Sequence, residues 1–336
     1  MAVTVFVSGA TGFIAQHIVQ QLIERGYNVI GSVRSASKGD QLKESLKSDK
    51  FSYEIVADIQ KEGAFDEALK KHPEVTVFLH TASPFHFNTT DIEKDLLLPA
   101  IEGTKNALSA IKAHAPQVKR VVVTSSYAAM FEDDNNPNYT ANEASWTKLT
   151  WEQAKENPLN GYIASKTFAE QAAWDFVKEQ KPHFQLSIVN PVYVFGPQAF
   201  DSDAVGTLNT SSEIINSLLK LGPKDEIPEM QGGYIDVRDV ARAHLVAFES
   251  DAAIGQRILT TNKERFSTYA IVEIIRENFA QYKDQLPAVN THSHEEAIGK
   301  GCKLDPSKSW KILGFEPIDL KKSVIDSVAQ ILKNKQ

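Results

Sequence analysis

The sequence predicts a doubly wound α/β fold, in which helices cover both faces of a parallel sheet. Short apolar runs rich in β-branched residues, of which residues 3–9 are the first, alternate with helical patterns as far as residue 191. Continuous apolar runs of this length are typical of strands that are buried on both faces. Because the alternation of strand and helix requires crossover connections, the strands are expected to run parallel.

The elements follow one another in a regular order. Residues 3–9 are expected to form a strand and residues 13–26 a helix, because apolar residues recur at helical spacing from Ile14 until Gly26. A polar, irregular insertion is expected over residues 132–158. Further strands are expected at residues 27–34, 52–59, 75–82, 120–126 and 185–191, and further helices at 38–48, 62–71, 93–114 and 160–179.

The regular alternation ends near residue 192. Residues 232–250 are typical of a strand that leads into a helix, and residues 267–282 and 320–333 are typical of helices. These later elements are expected to form a smaller α/β lobe that closes a cleft against the sheet. The predicted division assigns residues 1–191, with about 232–250, to the larger domain, and residues 192–231 and 251–336 to the smaller lobe.

Composition restricts the partners and the compartment. The formal net charge of −7 disfavours nucleic acid as a partner. The single cysteine, Cys302, allows no intrachain disulfide and suits a reducing compartment. The beginning of the sequence lacks the basic region of a signal peptide, and no apolar run approaches the roughly 18 residues of a membrane span. We therefore expect a cytoplasmic protein without a membrane partner, and we expect no metal.

A glycine turn between the first strand and the first helix predicts a dinucleotide site. Gly9, Gly12 and Ala15 are spaced three residues apart, with alanine in place of a third glycine. Such a turn lets the backbone approach a pyrophosphate and places a helix N-terminus against it. Because the motif lies at the start of a βαβ unit, the larger domain is expected to be of the Rossmann type.

The end of the second strand indicates which dinucleotide is bound. Proteins that bind NAD usually carry an acidic residue there, whereas this chain has Arg34, with Lys38 just beyond it. Arginine cannot accept from a ribose hydroxyl but pairs with a 2′-phosphate, so NADPH or NADP⁺ is expected. Asp58, expected at the end of the third strand, could accept from the adenine amine or cap the following segment. His80 is expected to be structural.

Three further residues predict proton chemistry. Ser125 and Ser126 end the fifth predicted strand, where side chains reach the ligand crevice of such a sheet. Tyr162 and Lys166 are four residues apart on a predicted helix and therefore lie on one face. A nearby ammonium group favours phenolate and should lower the pKa of the tyrosine. A serine hydroxyl could then hold the carbonyl group of a substrate.

Together, these motifs resemble the extended short-chain dehydrogenase/reductase family, and within it the yeast NADPH-dependent carbonyl and methylglyoxal reductases. The stretches "FVSGATGFIAQHIV", "LHTASPF", "VVVTSSYAAMF" and "GGYIDVRDVARAHLVAF" carry the resemblance, which extends over nearly the whole chain. It implies that Tyr162 is the proton donor, that Lys166 binds the nicotinamide ribose, and that Ser126, rather than Ser125, binds the carbonyl oxygen.

The resemblance also implies a set of cofactor contacts. Residues 209–212 could reach a phosphate oxygen. The implied contacts are those of Gly9, Thr11, Gly12, Phe13 and Ile14 with the pyrophosphate, Arg34 and Lys38 with the 2′-phosphate, Asp58 and Ile59 with the adenine, and Pro191, Val192 and Tyr193 with the nicotinamide.

Four residues beside these motifs are candidates for an apolar substrate pocket, although each could equally be a core residue. They are Phe85, Phe131, Ile163 and Tyr193. The predicted function is NADPH-dependent reduction of aldehydes and ketones, including methylglyoxal, diketones, ketoesters and bulky ketones, to chiral alcohols. An epimerase, a hydroxysteroid dehydrogenase and a non-catalytic NADP(H) sensor are the alternatives. The chain could act as a monomer or as a homodimer.

Overall fold

The computed structural model describes residues 3–83, 89, 91–132, 136–290 and 292–334. Seven strands form one sheet in the order β3-β2-β1-β4-β5-β7-β10, and every pair in it is parallel. The strands of the described residues are β1 (Thr4–Ser8), β2 (Asn28–Val33), β3 (Phe51–Ile55), β4 (Val75–His80), β5 (Arg120–Thr124), β6 (Thr140–Ala141), β7 (Gln185–Pro191), β8 (Tyr193–Phe195), β9 (Gln231–Asp236), β10 (Arg257–Thr260), β11 (Arg265–Ser267) and β12 (Lys303–Leu304).

Helices cover both faces of this sheet. A π-helical turn, Glu93–Leu97, leads directly into the fourth helix. In the part of the chain that the structure describes, no helix is both long and apolar enough to cross a membrane. The α-helices are α1 (Phe13–Glu24), α2 (Ala36–Leu46), α3 (Asp66–Lys71), α4 (Leu98–His114), α5 (Trp151–Ala154), α6 (Pro158–Gln180), α7 (Thr210–Leu218), α8 (Val237–Glu249), α9 (Thr268–Asn278), α10 (Ser293–Gly299), α11 (Ser307–Leu313) and α12 (Leu320–Lys333).

Strand β1 explains why the sheet is covered on both sides. Its successive side chains point to opposite faces, so Val5 and Val7 pack in one apolar layer, with α1 and α8, and Phe6 packs in the other, with α3, α4 and α6. All three side chains are fully buried. The predicted doubly wound parallel sheet is confirmed by this architecture.

A smaller sheet, in the order β11-β9-β8, carries the second part of the molecule. Helices α7, α9 and α12 pack around it through a separate apolar cluster. The predicted division placed β9 with the larger domain and β10 with the smaller lobe. In the structure, β9 joins the smaller sheet, and β10 is the last strand of the large sheet. Both strands are short and of mixed composition, so the sequence does not distinguish their partners. The division into two domains stays a prediction.

The large sheet has its topological switch point at β1. Strands β2 and β4 flank β1 on opposite sides, and the chain leaves β1 towards β2 and returns to the other side at β4. In sheets of this kind, ligands bind in the crevice at the carboxyl ends of the strands beside that point. The crevice is therefore expected near the ends of β1, β4, β5 and β7.

Candidate active site

Gly9 forms the sharp turn at the carboxyl end of β1. Its φ angle is +66°, and a Cβ atom at this position would lie 3.0 Å from the Cα atom of Ala82. Its amide donates to the Ser32 hydroxyl at 3.1 Å, which ties the turn to β2. Both the left-handed backbone and the close approach of the segment after β4 therefore require glycine here.

The N-terminus of α1 follows this turn. Gly12 occupies the N-cap position without a capping side chain, and the first turn contains no acidic residue. The amide of Gln16 donates to the Gly12 carbonyl at 2.9 Å. The amides of Phe13 and Ile14 lie before that first helical bond, where the helix itself offers no acceptor. This end of α1 therefore suits an anionic group.

Arg34 directly follows β2, and Lys38 lies four residues further on, in the first turn of α2. Both are exposed. That first turn also lacks acidic residues, and its N-cap residue, Ser35, makes no capping bond. Among the described residues neither cation forms an ion pair with a carboxylate, so both are available to an anion.

Asp58 lies outside the strand in which it was predicted. The prediction of a strand as far as residue 59 was wrong, because β2 ends at Val33, which pairs with Ile55, and β3 has no neighbour to pair with beyond that point. Asp58 therefore belongs to a turn, where its carboxylate accepts from the Gln60 amide at 2.9 Å. Ile59 packs closely against α4 at Gly103.

The two serines after β5 have different surroundings. The Ser125 hydroxyl is buried and donates to the carboxylate of Glu170 at 2.6 Å. The Ser126 hydroxyl accepts from the Ala128 amide at 3.1 Å and begins a short 3-10 helix, Tyr127–Ala129. Only Ser126 faces Tyr162.

Tyr162, Ser126 and Lys166 are brought together by α6 and the end of β5. The phenolic oxygen of Tyr162 lies 3.4 Å from the Ser126 hydroxyl oxygen. The Lys166 ammonium lies 5.8 Å from the centre of the Tyr162 ring and donates to the Ser83 hydroxyl at 2.8 Å. Ser83 follows β4 and Ser126 follows β5, so the group joins α6 to the ends of two neighbouring strands.

The protonation of this group differs in one respect from the prediction. Burial raises the pKa of Tyr162 above its usual value, although the bond to Ser126 opposes the effect; the predicted lowering by Lys166 is not seen. Burial also lowers the pKa of Lys166 to about 8. The physical reason is that desolvation disfavours the charged form of both groups, and the two side chains do not bond to each other.

Tyr162 and Ser126 open into a cavity of about 670 Å³. Three of the residues proposed for the substrate pocket line it: Phe131, Ile163 and Tyr193. These residues also pack against the protein interior, as expected if they are core residues. Ile163 is 5% exposed, and the Tyr193 ring contacts Phe266 edge-on. Val192 lines the same cavity. Phe85 lies outside the described residues.

The remaining nicotinamide candidates come from one connection. Pro191 ends β7 and Val192 links it to β8, so this segment crosses from the large sheet to the small one. In residues 209–212, Asn209 and Ser212 accept from the Gln198 side chain, whereas Thr210 and Ser211 line the cavity.

Several cavity residues were missed by the sequence analysis. Most come from the smaller lobe, where no motif marks them: they lie on α7, at or just before the start of β9, and just after α10. They are Leu159, Ile214, Glu229, Met230, Gln231 and Lys300; Thr210 and Ser211 were expected at a phosphate oxygen and line this cavity instead. The backbone of residues 80–83 was expected to line the nicotinamide ribose, but the bond from Lys166 to the Ser83 hydroxyl was not predicted.

Comparisons with known proteins identify the family of the chain. Residues 5–259 match the NAD dependent epimerase/dehydratase family. The chain therefore belongs to this family, whose members are extended short-chain dehydrogenase/reductases, and the resemblance predicted from the motifs is confirmed.

Several relatives match almost the whole chain. A putative NADPH-dependent methylglyoxal reductase of Candida albicans, GRP2, is 59% identical over 336 residues, which is 98% of either chain. The NADPH-dependent methylglyoxal reductase GRE2 of Saccharomyces cerevisiae is 49% identical, again over 98% of either chain. The crystal structure of yeast methylglyoxal/isovaleraldehyde reductase Gre2 complexed with NADPH superposes with a TM-score of 0.96, at 49% identity and over 99% of each chain.

Proposed function

We propose that this protein is an NADPH-dependent carbonyl reductase that converts aldehydes and ketones to alcohols. The observation that carries the proposal is the pair of hydroxyls on Tyr162 and Ser126, 3.4 Å apart in the wall of a large cavity. The relatives with 59% and 49% identity, both named NADPH-dependent methylglyoxal reductases, support it.

The residues around the turn of Gly9 fit the cofactor. The turn has no room for a side chain, and the amides of Thr11, Phe13 and Ile14 would hold the pyrophosphate beside it. Arg34 and Lys38 would hold the 2′-phosphate, since both are exposed cations at the end of β2. The free carboxylate oxygen of Asp58 and the backbone at Ile59 would face the adenine, and Pro191, Val192 and Tyr193 the nicotinamide.

Bound NADPH would supply the hydride for the carbonyl carbon. Ser126 would donate a hydrogen bond to the carbonyl oxygen and polarise it, and Tyr162 would give its phenolic proton to the same oxygen. Lys166 would stabilise the phenolate that remains, and its bond to Ser83 would hold the ammonium group in place.

The protonation of Tyr162 favours the reductive direction. A proton donor must carry its proton at the working pH, and burial raises the pKa of this phenol. At neutral pH Tyr162 is therefore almost entirely protonated before the reaction. The reverse reaction requires the phenolate and should become faster as the pH rises.

The cavity supports substrates larger than methylglyoxal. Its volume of about 670 Å³ is in the range of sites that hold drug-sized ligands. Phe131, Ile163 and Ile214 give it an apolar wall, whereas Thr210 and Gln231 offer polar groups. We propose ketoesters, diketones and bulky ketones as substrates beside small aldehydes.

All of these side chains belong to one chain, so the proposed chemistry needs no second copy and is compatible with a monomer or a homodimer. A location in the cytoplasm is part of the proposal. It is supported by the single cysteine, Cys302, which is buried and cannot form an intrachain disulfide.

The test is a panel of carbonyl compounds with the purified protein, followed by the loss of NADPH absorbance. Methylglyoxal, a 2-ketoester and a bulky aryl ketone should each consume NADPH, and NADH should serve much less well. NADPH binding without consumption by any carbonyl would favour a non-catalytic sensor. Tightly bound NAD in the purified protein would favour an epimerase.

A further inference from the structure

A buried carboxylate lies on the helix that carries Tyr162 and Lys166. Glu170 follows them at the same spacing of four residues, so the three side chains emerge from one face of α6. Glu170 is 1% exposed. A charge removed from water in this way must be paired and hydrogen-bonded to be tolerated.

Glu170 has partners on both carboxylate oxygens. One oxygen accepts from the guanidinium of Arg257, which is itself buried. The other accepts from the Ser125 hydroxyl at 2.6 Å and from the Asn190 amide group at 2.7 Å. Glu170 therefore links α6 to the carboxyl ends of β5 and β7 and to the start of β10.

Arg257 extends the network to two further segments of the chain. Its guanidinium also donates to the backbone carbonyls of Ala129, Glu143 and Ser145, and it stacks 3.8 Å above the Trp146 ring. The segment that follows Ser126 and the polar insertion are thus fixed to the same ion pair.

Two of these contacts reach Ser126 from different directions. Ser125 is its neighbour in the chain, and the Asn190 amide group that bonds to Glu170 also donates to the Ser126 carbonyl at 3.1 Å. We propose that Glu170 is a positioning residue, which holds Ser126 at its distance from Tyr162 through Ser125 and Asn190.

The effect of this positioning on the reaction rate rests on the proposed function, the reduction of a carbonyl group. The two hydroxyl oxygens lie 3.4 Å apart, which is longer than an ordinary hydrogen bond between hydroxyls. Because the bond between them is weak, other contacts must hold each hydroxyl in place if both are to bind the same substrate oxygen. A displacement of about 1 Å can cost roughly 100-fold in rate.

Glu170→Gln is the direct variant, but it leaves Arg257 without a buried counter-charge and could fail to fold. Ser125→Ala keeps the ion pair and removes only one contact. Its matched control is Ser187→Ala on β7, since Ser187 is equally buried and donates to two backbone carbonyls away from the site.

For Ser125→Ala we expect kcat to fall about tenfold while the Kd for NADPH stays unchanged. Ser187→Ala should lower the thermal stability by about as much as Ser125→Ala does, but it should keep the wild-type kcat. The pH profile for alcohol oxidation should shift to higher pH only in Ser125→Ala, because the Ser126 bond opposes the rise in the pKa of Tyr162. A merely structural role for Glu170 would leave that profile in place.

A crystal structure of Ser125→Ala separates this proposal from the proposed function. The distance from Ser126 to Tyr162 should exceed the 3.4 Å of the wild type, whether or not the protein is a reductase. An unchanged distance, or wild-type kcat in an active enzyme, would overturn the positioning role. An inactive wild type with the expected displacement would instead overturn the proposed function.

Discussion

The Tyr162 hydroxyl lies 3.4 Å from the Ser126 hydroxyl, in the wall of the cavity and near the Lys166 ammonium. The separation is too long for a strong bond between the two groups. It is suitable for two donors that bind one oxygen atom of a third molecule. This geometry suits the carbonyl oxygen of the proposed substrates.

Arg34→Ala should weaken NADPH binding and leave NADH binding nearly unchanged. A hydrogen-bonded ion pair with a phosphate contributes about 1.5–3 kcal/mol, so the Kd for NADPH should rise about 10- to 100-fold. Titration of both nucleotides by fluorescence measures the change. Lys43→Ala removes one positive charge from the last turn of α2 and is the matched control. Equal losses for NADPH and NADH would argue against a 2′-phosphate contact.

Lys166→Met should raise the free energy of unfolding at pH 7. The pKa of Lys166 is lowered to about 8, from 10.5 for a free lysine, so below pH 8 the folded protein carries a buried charge at a cost. That cost is about 3 kcal/mol at most.

The advantage of Lys166→Met should shrink between about pH 8 and pH 10.5. In that window the folded wild type has lost the proton while the unfolded chain still binds it, so the stability of the wild type rises with pH. Urea unfolding at several pH values tests this. Lys178→Met, on the exposed end of α6, is the control and should show no such trend. A constant difference between the variants would refute the assignment.

Ile163→Val should change the preference between substrates. It removes one methylene group from the cavity wall, and such a change alters selectivity about 10-fold or more. The ratio of kcat/KM for a bulky ketone to that for methylglyoxal should rise. Ile188→Val is the control, because Ile188 is fully buried in the core and has a similar stability cost of about 1 kcal/mol. If both variants keep the wild-type ratio, Ile163 does not select the substrate.

The sequence was most informative where the backbone itself imposes a requirement. Gly9 must be glycine because of its left-handed backbone and its contact with Ala82, and the four-residue spacing of Tyr162 and Lys166 specifies one helix face. The parallel sheet followed from short buried runs that alternate with helices. Each of these features is local, or depends on elements that are neighbours in the chain.

Features that depend on distant contacts were not predictable in the same way. The end of β3 is set by where β2 stops, and the partners of β9 and β10 are set by packing between the two parts of the molecule. The raised pKa of Tyr162 comes from burial, which no spacing reveals. The role of Glu170 depends on partners from three other segments, although its spacing from Lys166 was visible.

The account depends above all on Tyr162 as the proton donor, and Tyr162→Phe tests it most directly. The variant removes one hydroxyl, and its control is Tyr282→Phe in the smaller lobe. The measurement is kcat for NADPH-dependent reduction of a ketoester, with the Kd for NADPH determined in parallel. We predict that kcat falls about 100- to 10,000-fold while the Kd stays within about threefold and the control is unaffected. Near-wild-type turnover in Tyr162→Phe would contradict the account.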